Sequence, residues 1–384
     1  MIKLGTSCSP DSLTGLDCVD LQRLSEITSP SETILSIYMP VHEEQHHEFE
    51  HYLNKRVSEI AKVLGKGKAL DVFNQTLKAA EKWLKAKPLK GEKGRVIFVF
   101  PELDTLEVHR LPLSLEQIII LDQSPHIWPL AILTEDFSEY GVALLDSHEL
   151  RLVRVNTGTI LNEEEHSAHI LGKHKKGGES QMRFQRVRKA AVHAFMLEVV
   201  EDIKSAFYEP RTANWGGLVI AGPGTAKKEL IGLLPPAIRE DVIGVLEMDF
   251  RSSDEDVVAM AQRVSLQTEM EKIHIDVEHL KKAFLGGHGG IGGLDEVIEA
   301  LREARVSVLF VPRTPLQGFA CPRCHLLTSE AEDGMKCPNC SVPLKPTDIV
   351  EEMVELAERT RAHVEFTDEA FLSEIDGVGA LLRF

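Results

Sequence analysis

The segment Lys173-His-Lys-Lys-Gly-Gly-Glu-Ser-Gln-Met-Arg-Phe-Gln-Arg-Val-Arg-Lys189 joins a paired-glycine loop to a basic helix, and the rest of the chain is arranged around it. Adjacent Gly177 and Gly178 let the backbone take positive φ and approach another backbone closely. Behind them no helix breaker occurs until Pro210, so the periodicity predicts one amphipathic helix. Seven Lys or Arg stand against one Glu in these seventeen residues, inside a chain of net charge −17. A local reversal of that size marks contact with a polyanion. The plainer alternative is a solvated basic helix start beside a flexible loop.

At 384 residues the chain has room for two or three domains, each with its own core. A hydrophobic content of 43% and a mean hydropathy of −0.10 fit a soluble globular protein. No apolar run approaches the roughly 20 residues that span a bilayer. The start, Met1-Ile-Lys-Leu-Gly-Thr-Ser-Cys-Ser-Pro-Asp11, lacks the apolar core of a secretory signal, so a cytoplasmic protein without a membrane partner is expected. Four of the six cysteines cluster and Cys8 and Cys18 lie far away, which favours a metal site over a disulfide framework.

Upstream of the basic stretch, a short helix is expected over Asp20–Ile27 and a strand over Thr33–Met39. Helical spacing through Phe49, Leu53, Val57, Ile60 and Leu64, a break at Leu64-Gly-Lys-Gly-Lys68, and renewed periodicity over Ala69–Leu84 predict an αα-hairpin with a basic tip. His42, His46, His47 and His51 include i, i+4 pairs that could bind a metal, but with no third ligand nearby a solvated face is favoured. Strands follow at Val96–Phe100, Thr105–Leu111 and Gln117–Leu121. From Tyr140 the pattern is a β-hairpin, the acidic Glu163 to Glu165, a loop to Glu179, the long helix, and a strand at Gly217–Ala221. A helix then starts near Thr225, and Val242–Met248 reads as a strand. The turn Gly222-Pro-Gly-Thr-Ala-Lys-Lys228 sits where a phosphate loop would, yet lacks the G-x-x-x-x-G-K-[ST] spacing, which argues against nucleotide binding.

A third unit is expected from about Ile273. Gly286-Gly-His-Gly-Gly-Ile-Gly-Gly293 holds six glycines in eight residues before a helix at Leu294–Ala304. A phosphate cradle is one reading; a hinge or partner-binding loop is favoured, because no strand feeds it. Cys321-Pro-Arg-Cys324 and Cys337-Pro-Asn-Cys340 then supply two C-x-x-C knuckles, the spacing that wraps four thiolates around one Zn²⁺. With Cys at all four positions no place remains for a catalytic water, so the metal is expected to be structural. A helix at Asp348–Arg361 and strands at His363–Phe366 and Val378–Phe384 resume the α/β pattern, which makes the ribbon an insertion at 318–345. The domains are expected at 1–138, 139–272 and 273–384, and the fold class is mixed α/β.

Gly177-Gly-Glu-Ser-Gln-Met-Arg-Phe-Gln-Arg-Val-Arg188 resembles the G-G-Q-S-x-x-R-F-x-R-x-R segment of the archaeal and eukaryotic class I polypeptide release factors. Leu35-Ser-Ile-Tyr-Met-Pro40, Tyr140-Gly-Val-Ala-Leu-Leu-Asp146, Gly217-Leu-Val-Ile-Ala-Gly222 and Gly377-Val-Gly-Ala-Leu-Leu-Arg-Phe384 are similar to further segments of that family, in the same order. Pelota and the bacterial hibernation factor Balon share the superfamily. The resemblance implies a three-domain monomer that enters the ribosomal A site. It implies an N-terminal α+β domain at the decoding centre and an RNase H-like central domain reaching the peptidyl-transferase centre. The last domain would be of the kink-turn-binding ribosomal-protein type and meet a translational GTPase such as elongation factor Tu. The implied partners are rRNA and P-site tRNA, with Lys173, His174, Lys175, Lys176, Arg183, Arg186, Arg188 and Lys189 as RNA contacts.

Two departures bear on mechanism. Release factors carry Gln where this chain has Glu179, and that Gln helps position the attacking water. The Glu179 N–H could still stabilise an oxyanion, and its carboxylate could serve as a base only with a suitable pKa and position. The stop-codon element of the family, N-I-K-S, is missing; the corresponding stretch is Ala61-Lys-Val-Leu-Gly-Lys-Gly-Lys68. A codon-independent A-site factor acting in hibernation or rescue is therefore expected, with a peptidyl-tRNA hydrolase using Gly177, Gly178 and Glu179 as the alternative.

Overall fold

The computed structural model describes residues 3–5, 12–14, 16–41, 43–156, 159–167, 179–209, 215–324, 326–329 and 334–383. The fold is mixed α/β, as the alternation of periods implies, and packs as two compact units. One comprises 1–136 with 273–384, the other 137–272.

The first part of the discontinuous unit holds β1 (Lys3–Leu4), α1 (Leu21–Glu26), β2 (Ile34–Pro40), α2 (Glu43–Leu64), α3 (Lys68–Leu84), β3 (Gly94–Phe100), β4 (Thr105–Leu111), β5 (Ile118–Asp122) and α4 (Trp128–Asp136). Its sheet runs β1-β4-β3-β2-β5, antiparallel except between β1 and β4. Phe73, Ala80 and Leu84 of α3 join Phe49 and Ile60 of α2 over Leu35, Ile37, Ile97 and Val99. Three residues, Gly65 to Gly67, connect α2 to α3.

The contiguous unit holds β6 (Glu139–Leu145), β7 (Glu149–Asn156), β8 (Thr159–Ser167), α5 (Glu179–Ile203), β9 (Trp215–Ala221), α6 (Ala226–Leu233), α7 (Pro236–Glu240), β10 (Val242–Leu246) and the first part of α8 (Asp254–Leu285). Strand order is β10-β9-β6-β7-β8. Because successive side chains alternate in direction, β6 and β9 feed two cores. Ala143, Leu145, Leu218 and Ile220 pack on Phe195, Met196, Val199 and Ile203 of α5. Val142, Leu144, Val219 and Ala221 pack on Val257, Met260 and Ala261 of α8. Burial on both faces is what makes these strands continuous apolar runs.

The rest of the first unit holds β11 (Gly290–Gly292), α9 (Leu294–Arg302), β12 (Val306–Val311), β13 (Gln317–Ala320), β14 (Leu327–Thr328), β15 (Lys345–Asp348), α10 (Ile349–Thr360), β16 (His363–Phe366), α11 (Ala370–Glu374) and β17 (Gly379–Leu382). One sheet runs β11-β17-β12-β16 and a small one β14-β13-β15.

Several elements differ from expectation. The acidic stretch Glu163–Glu165, assigned no element from the sequence, lies in strand β8, which pairs with β7 from Glu149–Ser167 to Asn156–Thr159. Helix α8 runs straight through Ile273 rather than breaking there, although the division between the two compact units falls at that residue. The glycine-rich segment is built into a sheet: Gly290 to Gly292 pair with Leu381 to Gly379. A Cβ at Gly290 would sit 2.6 Å from the Phe284 nitrogen, and one at Gly292 2.8 Å from Ile375 Cβ. Close approach, rather than hinge motion, explains the glycines there. Among the described residues no helix is long and apolar enough to cross a membrane.

Candidate functional site

Strand β8 delivers the chain to the basic stretch, and α5 carries it away. Lys173, His174, Lys175, Lys176, Gly177 and Gly178 lie outside the described residues, as does His42. Helix α5 begins at Glu179, so that residue occupies the first helical position. The side chains of Glu179 and Arg183, and of His46 and His47 in α2, are outside the described set. Further along α5, Arg186 and Lys189 are exposed and Arg188 half-buried, while Phe195, Met196, Val199 and Ile203 face the core.

The strands below are fixed by buried cations. The Arg151 guanidinium meets the carboxylates of Glu163 and Asp254 and donates to the Ser252 carbonyl at 2.9 Å. Arg154 pairs with Glu139 and donates to the Ala206 carbonyl at 2.6 Å. The loop Gly222–Lys228 is closed to phosphate. Lys227 turns its ammonium onto the carbonyls of Gly222 and Gly224, the latter at 3.2 Å, and onto Glu247 at 2.8 Å. Gly222 itself is forced by contact, since a Cβ would lie 1.8 Å from the Leu145 oxygen.

The four predicted metal ligands converge. The Sγ atoms of Cys321, Cys324, Cys337 and Cys340 all lie within 4.8 Å of one another. Cys321 to Cys340 measures 3.2 Å, Cys324 to Cys337 3.4 Å, and Cys324 to Cys340 3.9 Å. Four sulfurs about 2.3 Å from a central ion would stand roughly 3.8 Å apart, so the set fits a tetrahedral cation after small adjustments. Each knuckle is closed by a backbone bond, Cys321 N–H to Leu326 O at 2.8 Å and Cys337 N–H to Val342 O at 2.8 Å. Burial pushes the Cys321 thiol up, but N–H groups of Cys324 and Arg323 and the neighbouring thiols outweigh it and bring it down to about 6. A thiolate is thus available near neutrality, the form that binds a metal. These residues can hold one metal ion.

Sequence reasoning missed the acidic face of α10. Glu351 accepts hydrogen bonds from the N–H groups of Ile127, at 2.7 Å, and Trp128, at 2.8 Å, capping α4, and lies 3.0 Å from His126 Nδ1. Glu355 accepts from Ser124 Oγ at 2.5 Å and Arg359 at 2.7 Å, and Arg359 in turn reaches the Ser25 carbonyl at 2.5 Å. Burial, with Asp122 and Glu351 adding repulsion, pushes Glu352 up to about 7. Burial and the adjacent Glu365 push Glu135 up to about 9. Residues from both ends of the chain are thereby held together by carboxyl groups of α10.

A second acid–histidine grouping, Asp146, His148 and Glu149, is a turn organised from within: Asp146 Oδ1 accepts from the N–H groups of His148 at 2.7 Å and Glu149 at 2.9 Å.

Comparison with known proteins gives these features a setting. Residues 125–265 match the family described as Bacterial archaeo-eukaryotic release factor family 10. The chain is 24% identical over 399 residues to peptide chain release factor subunit 1 of Methanosphaera stadtmanae, covering 95% of this chain and 96% of that protein. It is 28% identical over 213 residues to the protein of that name from Methanopyrus kandleri, covering 53% and 51%. Among solved structures, Pelota of Archaeoglobus fulgidus aligns over 100% of this chain and 99% of its own, with 12% identity and a TM-score of 0.34. The chain is thus similar to the archaeal peptide chain release factors over nearly its full length, and its centre matches the bacterial archaeo-eukaryotic release factor family.

Proposed function

We propose that this protein is a cytoplasmic translation factor that occupies the ribosomal A site without reading a codon, in hibernation or rescue of stalled or idle ribosomes. The observation that carries the reading is the α2–α3 connection. Only Gly65, Lys66 and Gly67 link the two helices, and Ala61 to Leu64 are spent inside α2. That tip carries no N-I-K-S element. Glu179 points the same way, because an anion replaces the neutral amide beside the paired glycines. The relatives' name, peptide chain release factor, supports placement on the ribosome. The basic residues Lys173 to Lys189 would dock against rRNA or P-site tRNA, a translational GTPase would meet the 273–384 region, and Cys321, Cys324, Cys337 and Cys340 would hold a structural Zn²⁺. We divide the work among three domains, 1–138, 139–272 and 273–384.

The test is a pair of assays, ribosome pelleting and peptide release from ribosomes with peptidyl-tRNA in the P site. The protein should pellet with ribosomes and release little peptide whatever codon fills the A site, and Glu179→Gln should raise release above background. Efficient release by the parent, slowed by Glu179→Gln, would establish the alternative, a codon-independent hydrolase in which Glu179 works on the attacking water. Failure to pellet would remove the chain from the ribosome altogether.

A further inference from the structure

Outside the basic stretch, the strongest reversal of charge lies at the far end of the αα-hairpin. Lys78, Lys82, Lys85, Lys87, Lys90 and Lys93 are all exposed, and the acids between them are Glu81 and the buried Glu92. At about 100° per residue, Lys78, Lys82 and Lys85 fall on the face of α3 opposite Phe73, Thr76, Ala80 and Leu84, which enter the core. Among the described residues none of the six lysines is engaged by a carboxylate.

The loop that carries the last of them is held from beneath. Glu92 accepts from Arg95 Nε at 2.7 Å, from Arg110 at 2.8 Å and from the Leu89 N–H at 2.8 Å. Arg95 also reaches the carbonyls of Trp83 and, at 3.1 Å, Ala86, and Arg110 reaches that of Lys87 at 3.2 Å. Two buried guanidinium groups thus take up carbonyls at and just past the end of α3, and both pair with a single carboxylate. The exposed lysines are displayed on a fixed loop, so less ordering entropy opposes binding there.

We propose that α3 and the loop through Lys93 form a second docking surface for the phosphate backbone of structured RNA. The surface rests on the ribosome reading only for the identity of that RNA. Its composition selects the partner class. Ammonium groups act as point charges that suit phosphates without reading bases. Single-stranded RNA would call for exposed aromatic platforms, and Trp83 is half-buried, with Lys82 Nζ 4.8 Å above its ring. A membrane surface would call for exposed apolar side chains, and between Lys78 and Lys93 the large apolar residues Trp83, Leu84 and Leu89 are half-buried or buried. From Lys78 to Lys85 the helix rises about 10 Å, enough for adjacent phosphates to meet successive lysines. In a chain of net charge −17 the rest of the molecule repels the same polymer, so the surface also orients it.

The experiment measures binding of a short labelled RNA duplex of arbitrary sequence by fluorescence anisotropy across a potassium chloride series. The parent is compared with a variant in which Lys78, Lys82, Lys85, Lys87 and Lys90 are replaced by Gln, and with one in which they are replaced by Arg. All five side chains are exposed, so both variants should keep the parental melting temperature. The Gln variant should bind at least about tenfold more weakly, with a salt slope shallower by about three, and the Arg variant should bind like the parent. Equal affinity and slope for parent and Gln variant would overturn the proposal. So would a parent that ignores the duplex but binds polyglutamate or anionic vesicles through the same lysines. Ribosome pelleting of the parent separates the two readings: lysine-dependent duplex binding without pelleting would support this surface while sinking the A-site assignment.

Discussion

The contiguous unit and the α10 region of the discontinuous unit bury charge in opposite ways. In the contiguous unit the buried ions are cations with fixed partners: Arg154 against Glu139, Arg151 against Glu163 and Asp254, Lys227 against carbonyls and Glu247. In the discontinuous unit, where α10 meets α1 and α4, carboxyl groups crowd together: Glu351, Glu352, Glu355 and Asp122, with Glu135 and Glu365 nearby. Cations paired at neutral pH need no change of protonation. Burial and neighbouring carboxylates raise Glu135, Glu352 and Glu355, so these groups hold their protons to higher pH. Sensitivity to pH should therefore concentrate in the α10 region, and sensitivity to loss of a single charge at the paired cations.

The largest test concerns the metal. Chelation, or Cys321→Ser, should remove the proposed zinc and unfold the β13–β15 insertion locally, while amides of β6, β7 and β9 keep their hydrogen-exchange protection. Freshly purified protein holding less than about half an equivalent of zinc would break this expectation. Next comes Arg154→Ala. It deprives Glu139, 2% exposed, of its cation and should cost about 3–5 kcal/mol in chemical denaturation, with little change between pH 6 and pH 8 on either side of neutrality. A cost below about 1 kcal/mol would show that water reaches the pair.

The smallest effect is in the acidic face. Glu352 rises from its ordinary 4.5 to about 7, so between those values the folded state holds the extra proton. Stability from this group is complete below about 4.5 and falls as pH rises through about 7. Glu358, raised to about 7 by burial, and Glu135, at about 9, act in the same direction. The melting temperature of the discontinuous unit should fall from mildly acidic to mildly alkaline pH, and Glu352→Gln should flatten that fall. An unchanged slope in Glu352→Gln would assign the dependence to other groups.

Local chemistry made much of this legible and distant chemistry hid the rest. The apolar runs of β2, β3, β6 and β9, the αα-hairpin and the paired C-x-x-C knuckles all announce themselves within a few residues. Helix α4 escaped because it is apolar without a polar face, and β8 because three consecutive glutamates break the apolar alternation of a strand. Helix α8 has weak periodicity, with Leu266, Met270 and Ile275 exposed. Its start was nonetheless marked: Ser253 Oγ accepts from the Asp256 N–H at 3.2 Å, a short capping motif that could have been read. The glutamates of α10 look like a solvated face, since burial of Glu is rare without partners. Their partners, Ser124, Ile127 and Trp128, lie more than two hundred positions away in the chain. No window on the sequence joins them.

The division of the chain into a contiguous and a discontinuous unit also orders events during synthesis. Residues 137–272 contain everything their sheet needs and can close as they emerge. The other unit must wait. Its sheet β11-β17-β12-β16 places the last strand made, Gly379–Leu382, between two strands made long before it. Until that strand arrives, β11 has no neighbour and one edge of β12 stays open to other chains, the condition under which nascent proteins aggregate. Nascent chains halted before Gly379 would carry a finished middle and an unfinished frame.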